Sequence, residues 1–262
     1  MSSFDVGWLY SGLGLCVGFL VGMTGVGGGS LMTPALVLLF GIHPATAVGT
    51  DLLFAGLTKA VGTGVHGFHG SVNWRIVTLL SAGSIPMSIA TLIVLHWIGP
   101  QDAAVSRTIC VVMGVALLAT AASLYMRGLL KAPRPAADPA KDRLRQIVLT
   151  VAGGAALGLL VTISSVGAGS MGIVALYFLY PLLATRMLVG SDVAHAVPLT
   201  LVAGSGYWLV GAVDWAMLVW LLAGSLPGVL LGSSLAPRVS ERVLRPILAA
   251  ILIVVGLKLL GT

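Results

Sequence analysis

Long apolar runs separated by short polar segments dominate the pattern of the chain. Six of these runs approach or exceed the roughly 20 residues that a helix needs to cross the hydrocarbon core of a bilayer. The pattern therefore predicts an all-α integral membrane protein. The six predicted transmembrane helices cover residues 45–65, 76–97, 104–126, 187–210, 216–235 and 243–260.

Two further apolar segments are each interrupted by a glycine-rich or small-residue break, at residues 24–30 and 164–170. Consecutive glycines do not continue a helix cheaply, because glycine loses the most backbone freedom and packs no side chain. The run that follows the first break, residues 30–40, spans only about 16 Å as a helix, roughly half of the hydrocarbon core. We therefore predict two re-entrant or broken helical hairpins, at residues 8–40 and 147–182.

The two halves of the chain repeat each other at an offset of 141 residues. Gly49-Thr50-Asp51 falls on Gly190-Ser191-Asp192, and Asn73-Trp74 falls on Asp214-Trp215. This density of matches indicates an internal duplication. We expect an N-terminal repeat at 1–126, a basic cytoplasmic linker at 127–146 and a C-terminal repeat at 147–262, each repeat a hairpin plus three transmembrane helices.

Composition indicates that the protein lies in a membrane, and the positions of the charged residues indicate its orientation there. With 58% hydrophobic and 8% charged residues, the chain has too little polar surface for a soluble protein, and its net charge of +6 lies in short loops rather than in a nucleic-acid-binding surface. A cytoplasmic linker places eleven of the 14 Lys and Arg residues inside. Each half of the chain then crosses the membrane an odd number of times. The repeats are therefore predicted to be inverted, with both termini on the non-cytoplasmic side, as in secondary transporters.

The hairpin tips have the chemistry of an anion site. A helix that begins at a tip points its backbone N–H groups and its partial positive charge at the break, which suits an oxyanion. The alternative is that the small residues only let two helices pack closely. The predicted substrate-binding residues are Thr24, Gly27, Gly28, Gly29, Ser30, Leu31, Lys59, Ser164, Ser165, Gly167, Gly169 and Ser170.

Ionisable residues inside membrane runs are costly and mark pathways by default. Lys59 either attracts an anion or extends to the headgroups. Asp51 and Asp192 occupy matching positions, and they either couple transport to protons or sodium or brace the N–H groups of the adjacent hairpins. Thr50 and Ser191 belong to the same candidate set. His195, one turn from Asp192, either relays a proton or is a packed helix contact.

Other classes of protein find little support in the sequence. No nucleophile and base, and no three metal ligands, stand at helical spacing, so we expect no enzyme, no metal and no cofactor. Two alternatives to a carrier stay open. One is an anion channel, and the other is a cation-coupled importer that uses Asp51 and Asp192 as its ion site.

The motif Gly25-Val-Gly-Gly-Gly-Ser30, followed by a short proline-containing helix, Gly49-Thr-Asp51 and Gly70-Ser-Val-Asn-Trp74, resembles the TauE/SafE family of membrane transporters. The resemblance covers essentially the whole chain. It implies a multi-pass protein of a bacterial inner membrane that exports a small sulfur-containing anion, such as sulfite, thiosulfate or an organosulfonate like sulfoacetate. In the second break, Ser165 and Ala168 replace two of the glycines, so the two tips are not expected to contribute equally.

Overall fold

The computed structural model describes residues 3–24, 29–68, 72–129, 139–167, 169, 171–235 and 241–261. These residues are almost entirely helical, which confirms the predicted all-α class. In chain order the helices are α1 (Ser3–Thr24), α2 (Gly29–Phe40), α3 (Pro44–Phe68), α4 (Trp74–Ile98), α5 (Ala103–Leu129), α6 (Pro139–Ser164), α7 (Met171–Leu179), α8 (Thr185–Leu209), α9 (Trp215–Leu235) and α10 (Glu241–Leu260).

Five stretches within α4, α5, α6, α8 and α9 are long and apolar enough to cross a membrane. The two short helices differ from them: α2 has 12 residues and α7 has 9. At about 1.5 Å per residue neither reaches across the roughly 30 Å hydrocarbon core. The helices before them are longer than the apolar runs suggested, since α1 has 22 residues and α6 has 26. Each hairpin thus joins one long helix to one short helix.

Local signals explain where corresponding helices begin. Asn73 caps α4, because its side-chain oxygen accepts a hydrogen bond from the backbone N–H of Ile76 at 3.4 Å. Asp214 does the same for α9, accepting from the N–H of Met217 at 2.9 Å. Such caps satisfy N–H groups that have no partner inside the helix. The two starts match the Asn-Trp and Asp-Trp pairs that the offset of 141 relates.

The strongest helix pairings cross between the halves of the chain: α1 packs on α9, α4 on α6, α3 on α8 and α5 on α10. Contacts within these pairs also follow the sequence offset. Gly18 of α1 packs against the backbone of Ser225, and Gly158 of α6 packs against the backbone of Ser84. A contact made by one half therefore has a counterpart in the other half, as expected of two repeats. The inverted orientation of the halves stays a prediction.

The surface is apolar and the interior is partly polar, as expected for a protein solvated by lipid. Large hydrophobic side chains such as Leu209 and Leu230 are 81% and 71% exposed. By contrast, polar side chains with no exposed surface lie on α3 and α8, two helices that pack together. They are Thr50, Asp51, Ser191, Asp192 and His195. Together with the apolar surface, this arrangement describes a multi-pass membrane protein with a polar centre.

Candidate functional site

The two hairpin tips meet inside the protein. Gly29, the first residue of α2, packs against Ser165 of the second tip, and a Cβ on Gly29 would lie 3.0 Å from the Ser165 hydroxyl and closer still to its carbonyl oxygen. Ser165 has φ +57°, in the left-handed region that non-glycine residues rarely adopt. This strained residue turns the chain out of α6 and presents its backbone to Gly29.

Glycines shape the rest of the second tip. Gly167 and Gly169 have φ values of +118° and +119°, which side chains other than glycine rarely tolerate. Ser164 supports the turn from within, because its hydroxyl donates to the carbonyl of Leu160 at 2.7 Å and accepts from the N–H of Val166 at 3.2 Å. The structure thus gives Ser164 a role in holding the turn, whereas the sequence suggested a substrate ligand.

The first tip is described only from Gly29 onward. Ser30 is 5% exposed, and Leu31, next to it, is partly buried against the core. The predicted site residues Gly27, Gly28 and Ser170, and the side chain of Thr24, lie outside the described residues. Of the predicted tip residues, the structure therefore brings together Gly29 and Ser165 and buries Ser30 beside them.

Each aspartate lies against the short helix of its own half. The Thr33 hydroxyl, near the beginning of α2, donates to a carboxylate oxygen of Asp51 at 2.5 Å. Asp192 lies against Gly172 in the first turn of α7, where a Cβ would stand 2.9 Å from the carboxylate carbon. Helix N-termini attract negative charge, so both carboxylates stabilise the ends that face the tips. This geometry fits the bracing interpretation of the two aspartates.

Lys59 joins the two carboxylates into one charged cluster. Its ammonium group interacts electrostatically with both Asp51 and Asp192, and its side chain is partly buried. The Ser165 hydroxyl also faces the Asp51 carboxylate without reaching hydrogen-bond geometry. With one ammonium and two carboxylates, the cluster carries a formal charge of −1 when both aspartates are ionised. It lies beside the point where the tips meet.

His195 is the fourth ionisable group near the cluster. Its Nε2 atom lies 2.8 Å from the Ser84 hydroxyl, while its buried Nδ1 atom has no hydrogen-bond partner. Lys59 acts on it electrostatically. The imidazole therefore links α8 to α4 at the edge of the cluster.

Thr50 and Ser191 have a different role from the one the sequence suggested. The Thr50 hydroxyl accepts a hydrogen bond from the backbone N–H of Asp214 at 3.0 Å, and the Ser191 hydroxyl accepts one from the N–H of Asn73 at 2.8 Å. The two bonds are related by the offset of 141. The first bond ties α3 to the loop before α9, and the second ties α8 to the loop before α4. Both bonds join opposite halves of the chain, so these hydroxyls hold the halves together.

Sequence reasoning missed Thr33 and Ser84. A signal for Ser84 was present, since its Gly-Ser-Ile-Pro segment repeats as residues 224–227. Thr33 had no such signal, because only the folded hairpin brings it to Asp51. Within the described residues, no cluster of three or more His, Cys, Asp or Glu side chains could hold a metal ion.

The fold and the polar centre define a multi-pass membrane protein in which the short helix α2 begins against the turn that follows α6. The family model described as "Sulfite exporter TauE/SafE" matches residues 10–259, and the chain belongs to this family. This confirms the resemblance drawn from the glycine-rich motif.

Similar proteins carry matching descriptions. The chain is 37% identical over 252 residues to "Probable membrane transporter protein YjnA" of Bacillus subtilis (strain 168), covering 95% of this chain and 97% of that protein. It is 27% identical over 254 residues to "Probable membrane transporter protein" of Xylella fastidiosa (strain 9a5c), covering 94% of this chain and 92% of that protein. No solved structure matches the chain. Family and relatives indicate a membrane transporter rather than an enzyme.

Proposed function

We propose that this protein is a secondary transporter that exports a small sulfur-containing anion, such as sulfite, thiosulfate or sulfoacetate, across a bacterial inner membrane. The observation that carries the proposal is the contact of Gly29 with Ser165, which brings the first residue of the short helix α2 against the turn that follows α6, inside the protein. Export and the sulfur chemistry follow the description of the family, "Sulfite exporter TauE/SafE".

The geometry supports anion binding at this point. The first N–H groups of α2 have no partner inside the helix, and Gly29 and the buried Ser30 lie in this first turn. A helix N-terminus offers partial positive charge and several donors without a side-chain cation. Lys59 adds a full positive charge nearby, and Asp51 and Asp192 attract it electrostatically. An oxyanion between the tips meets both kinds of attraction.

Short helices that begin or end inside the protein also suit alternating access. In secondary transporters, discontinuous helices bind the substrate near the middle of the bilayer, and two repeats rock about that point. Here α1 and α4 of the first half pack on α9 and α6 of the second half, respectively. We propose that these pairs move about the tips and expose the site to each side in turn.

Isothermal titration calorimetry on detergent-purified protein tests the proposal. Sulfite, thiosulfate, sulfoacetate, sulfate and chloride are titrated into the wild type and into Ser30→Leu and Lys59→Met. The leucine blocks the first turn of α2, and the methionine removes one charge. We expect saturable binding of at least one sulfur anion in preference to chloride, weakened at least about tenfold in both variants.

The matched controls are Ser234→Leu and Lys258→Met, which make the same replacements at exposed positions on α9 and α10. They should bind like the wild type. If no anion binds, or if the site variants bind as tightly as their controls, the tips are packing elements and the proposal is wrong. An anion channel is distinguished by conductance in planar bilayers without saturable exchange.

A further inference from the structure

We propose that the transported anion is carried together with a proton, which Asp51 takes up at its Oδ1 atom when the anion enters the site. This inference rests on the proposed function and names the coupling ion of the same site. The inference starts from the Oδ1 atom of Asp51. This side chain is fully buried, and its Oδ2 atom accepts a hydrogen bond from Thr33, whereas its Oδ1 atom has no hydrogen-bond partner.

The anion and Asp51 compete for the same positive groups. Asp51 is stabilised by Thr33 near the start of α2 and by the ammonium group of Lys59. An oxyanion at Gly29 and Ser30 is attracted by the same helix end and by the same ammonium. A buried negative charge that loses its partner is costly, and a carboxylate avoids that cost by taking a proton. Anion entry therefore favours the protonated form of Asp51.

The charge balance gives the stoichiometry of this step. The empty cluster, with Asp51 and Asp192 ionised and Lys59 protonated, carries a formal charge of −1. A monovalent anion alone makes it −2, whereas the same anion with one proton on Asp51 leaves it at −1. Hydronium on the side from which the anion enters gives up the proton, so that one O–H bond breaks there, one O–H bond forms at Oδ1, and no electron is transferred. Release of the anion returns the proton to water on the other side.

The surroundings of Asp51 favour a proton over a metal cation. A sodium site needs several oxygen ligands, typically carbonyls of unwound backbone or of helix C-terminal ends. Asp51 instead faces the N-terminal end of α2, where N–H donors and partial positive charge repel a cation. The other ionisable groups that face this region are Asp192 and His195 from α8 and Lys59 from α3 itself.

Co-transport of one proton makes the transport of a monovalent anion electrically neutral. The direction then follows the gradients of the anion and of protons, with no contribution from the membrane potential. Export is downhill when the outward gradient of the anion exceeds any inward gradient of protons.

Calorimetry with thiosulfate tests the inference, because this anion carries no proton near neutral pH. Titration at one pH in buffers of different ionisation enthalpy gives the number of protons taken up per anion bound. We expect one or more for the wild type and one fewer for Asp51→Asn. Binding by the wild type should weaken about tenfold per pH unit for each proton once the aspartates are ionised. The matched control is Asp214→Asn, a capping carboxylate whose counterpart in the other half is already Asn73, and it should take up the wild-type number.

Each outcome has a definite meaning. Binding with the same heat in every buffer, or with a requirement for sodium, overturns proton coupling and leaves the anion site intact. An unchanged proton count in Asp51→Asn also overturns the proposal, because the proton is then elsewhere. If no anion in the panel binds, the proposed function fails and this inference fails with it. The wild-type count does not depend on whether the variant folds.

Discussion

Gly158 of α6 packs against the backbone of Ser84 in α4, and its replacement by alanine tests this packing directly. A Cβ on Gly158 would lie 2.7 Å from the Cα of Ser84 and closer to its carbonyl oxygen. Ordinary van der Waals contacts begin at 3.4 Å and the carbonyl oxygen would lie at 2.4 Å, so the two backbones must separate by about 1.0 Å. Neither neighbour is a flexible side chain that could move aside.

The magnitude follows from two opposing contributions. Alanine in place of glycine stabilises a helix by about 1 kcal/mol, whereas overpacking costs about 1–3 kcal/mol. Gly153 provides the matched control, because it lies on the same helix and a Cβ there meets nothing within 4 Å. Both variants gain the same helix propensity, so their difference isolates the overpacking. At roughly 2–4 °C per kcal/mol, Gly158→Ala should melt about 2–12 °C below Gly153→Ala.

Thermal unfolding of the two variants in detergent, followed by circular dichroism or by a dye that reports aggregation, measures this difference. The expected order is Gly153→Ala at or above the wild type and Gly158→Ala below Gly153→Ala. Equal melting temperatures for the two variants would refute the close approach of α4 and α6. The same helices hold Ser84 against His195 at 2.8 Å, so widening this interface also disturbs the edge of the charged cluster.

Further substitutions test single contacts. Thr33→Val keeps the shape but removes the hydroxyl that donates to Asp51, and it should lower the free energy of unfolding by about 1.5–3 kcal/mol in a denaturant titration; an unchanged value would exclude that bond. Asp214→Ala should lower it by about 0.5–2 kcal/mol, while Asp214→Asn, which can still cap α9, should restore most of the loss. Tyr207→Phe removes the 3.0 Å bond to the carbonyl of Thr162 in the last turn of α6, and leaving that buried carbonyl unpaired should cost about 1–3 kcal/mol in the same titration; a wild-type midpoint would contradict this role.

The sequence predicted much of the fold, because a membrane restricts the chain to few solutions. Apolar runs separated by polar segments gave the all-helical class, and the glycine-rich breaks gave the short helices α2 and α7. The lengths of α1 and α6 were less accessible. Helix α6 begins at Pro139, inside the segment predicted to be a linker, because a helix continues past the apolar run when its polar end reaches the interface.

The candidate site was predictable where it follows from the repeat and not where it depends on the folded hairpin. Matching positions identified Asp51 and Asp192 as a pair, and the structure brings both to short helices. The same rule assigned Thr50 and Ser191 to this region, but their hydroxyls bond to loops of the opposite half. Offsets show which residues correspond and do not show which way a side chain turns. Rotation about a helix axis is decided by packing.

The crossed helix pairings have a consequence for how this protein is made. Helix α1 packs mainly on α9, and α3 packs on α8, so the helices that enter the membrane first have their main partners near the end of the chain. During synthesis α1, α3, α4 and α5 must remain in the bilayer without their main partners until the second half arrives. Final assembly is therefore a late event, and neither half has a complete interior before translation reaches α10.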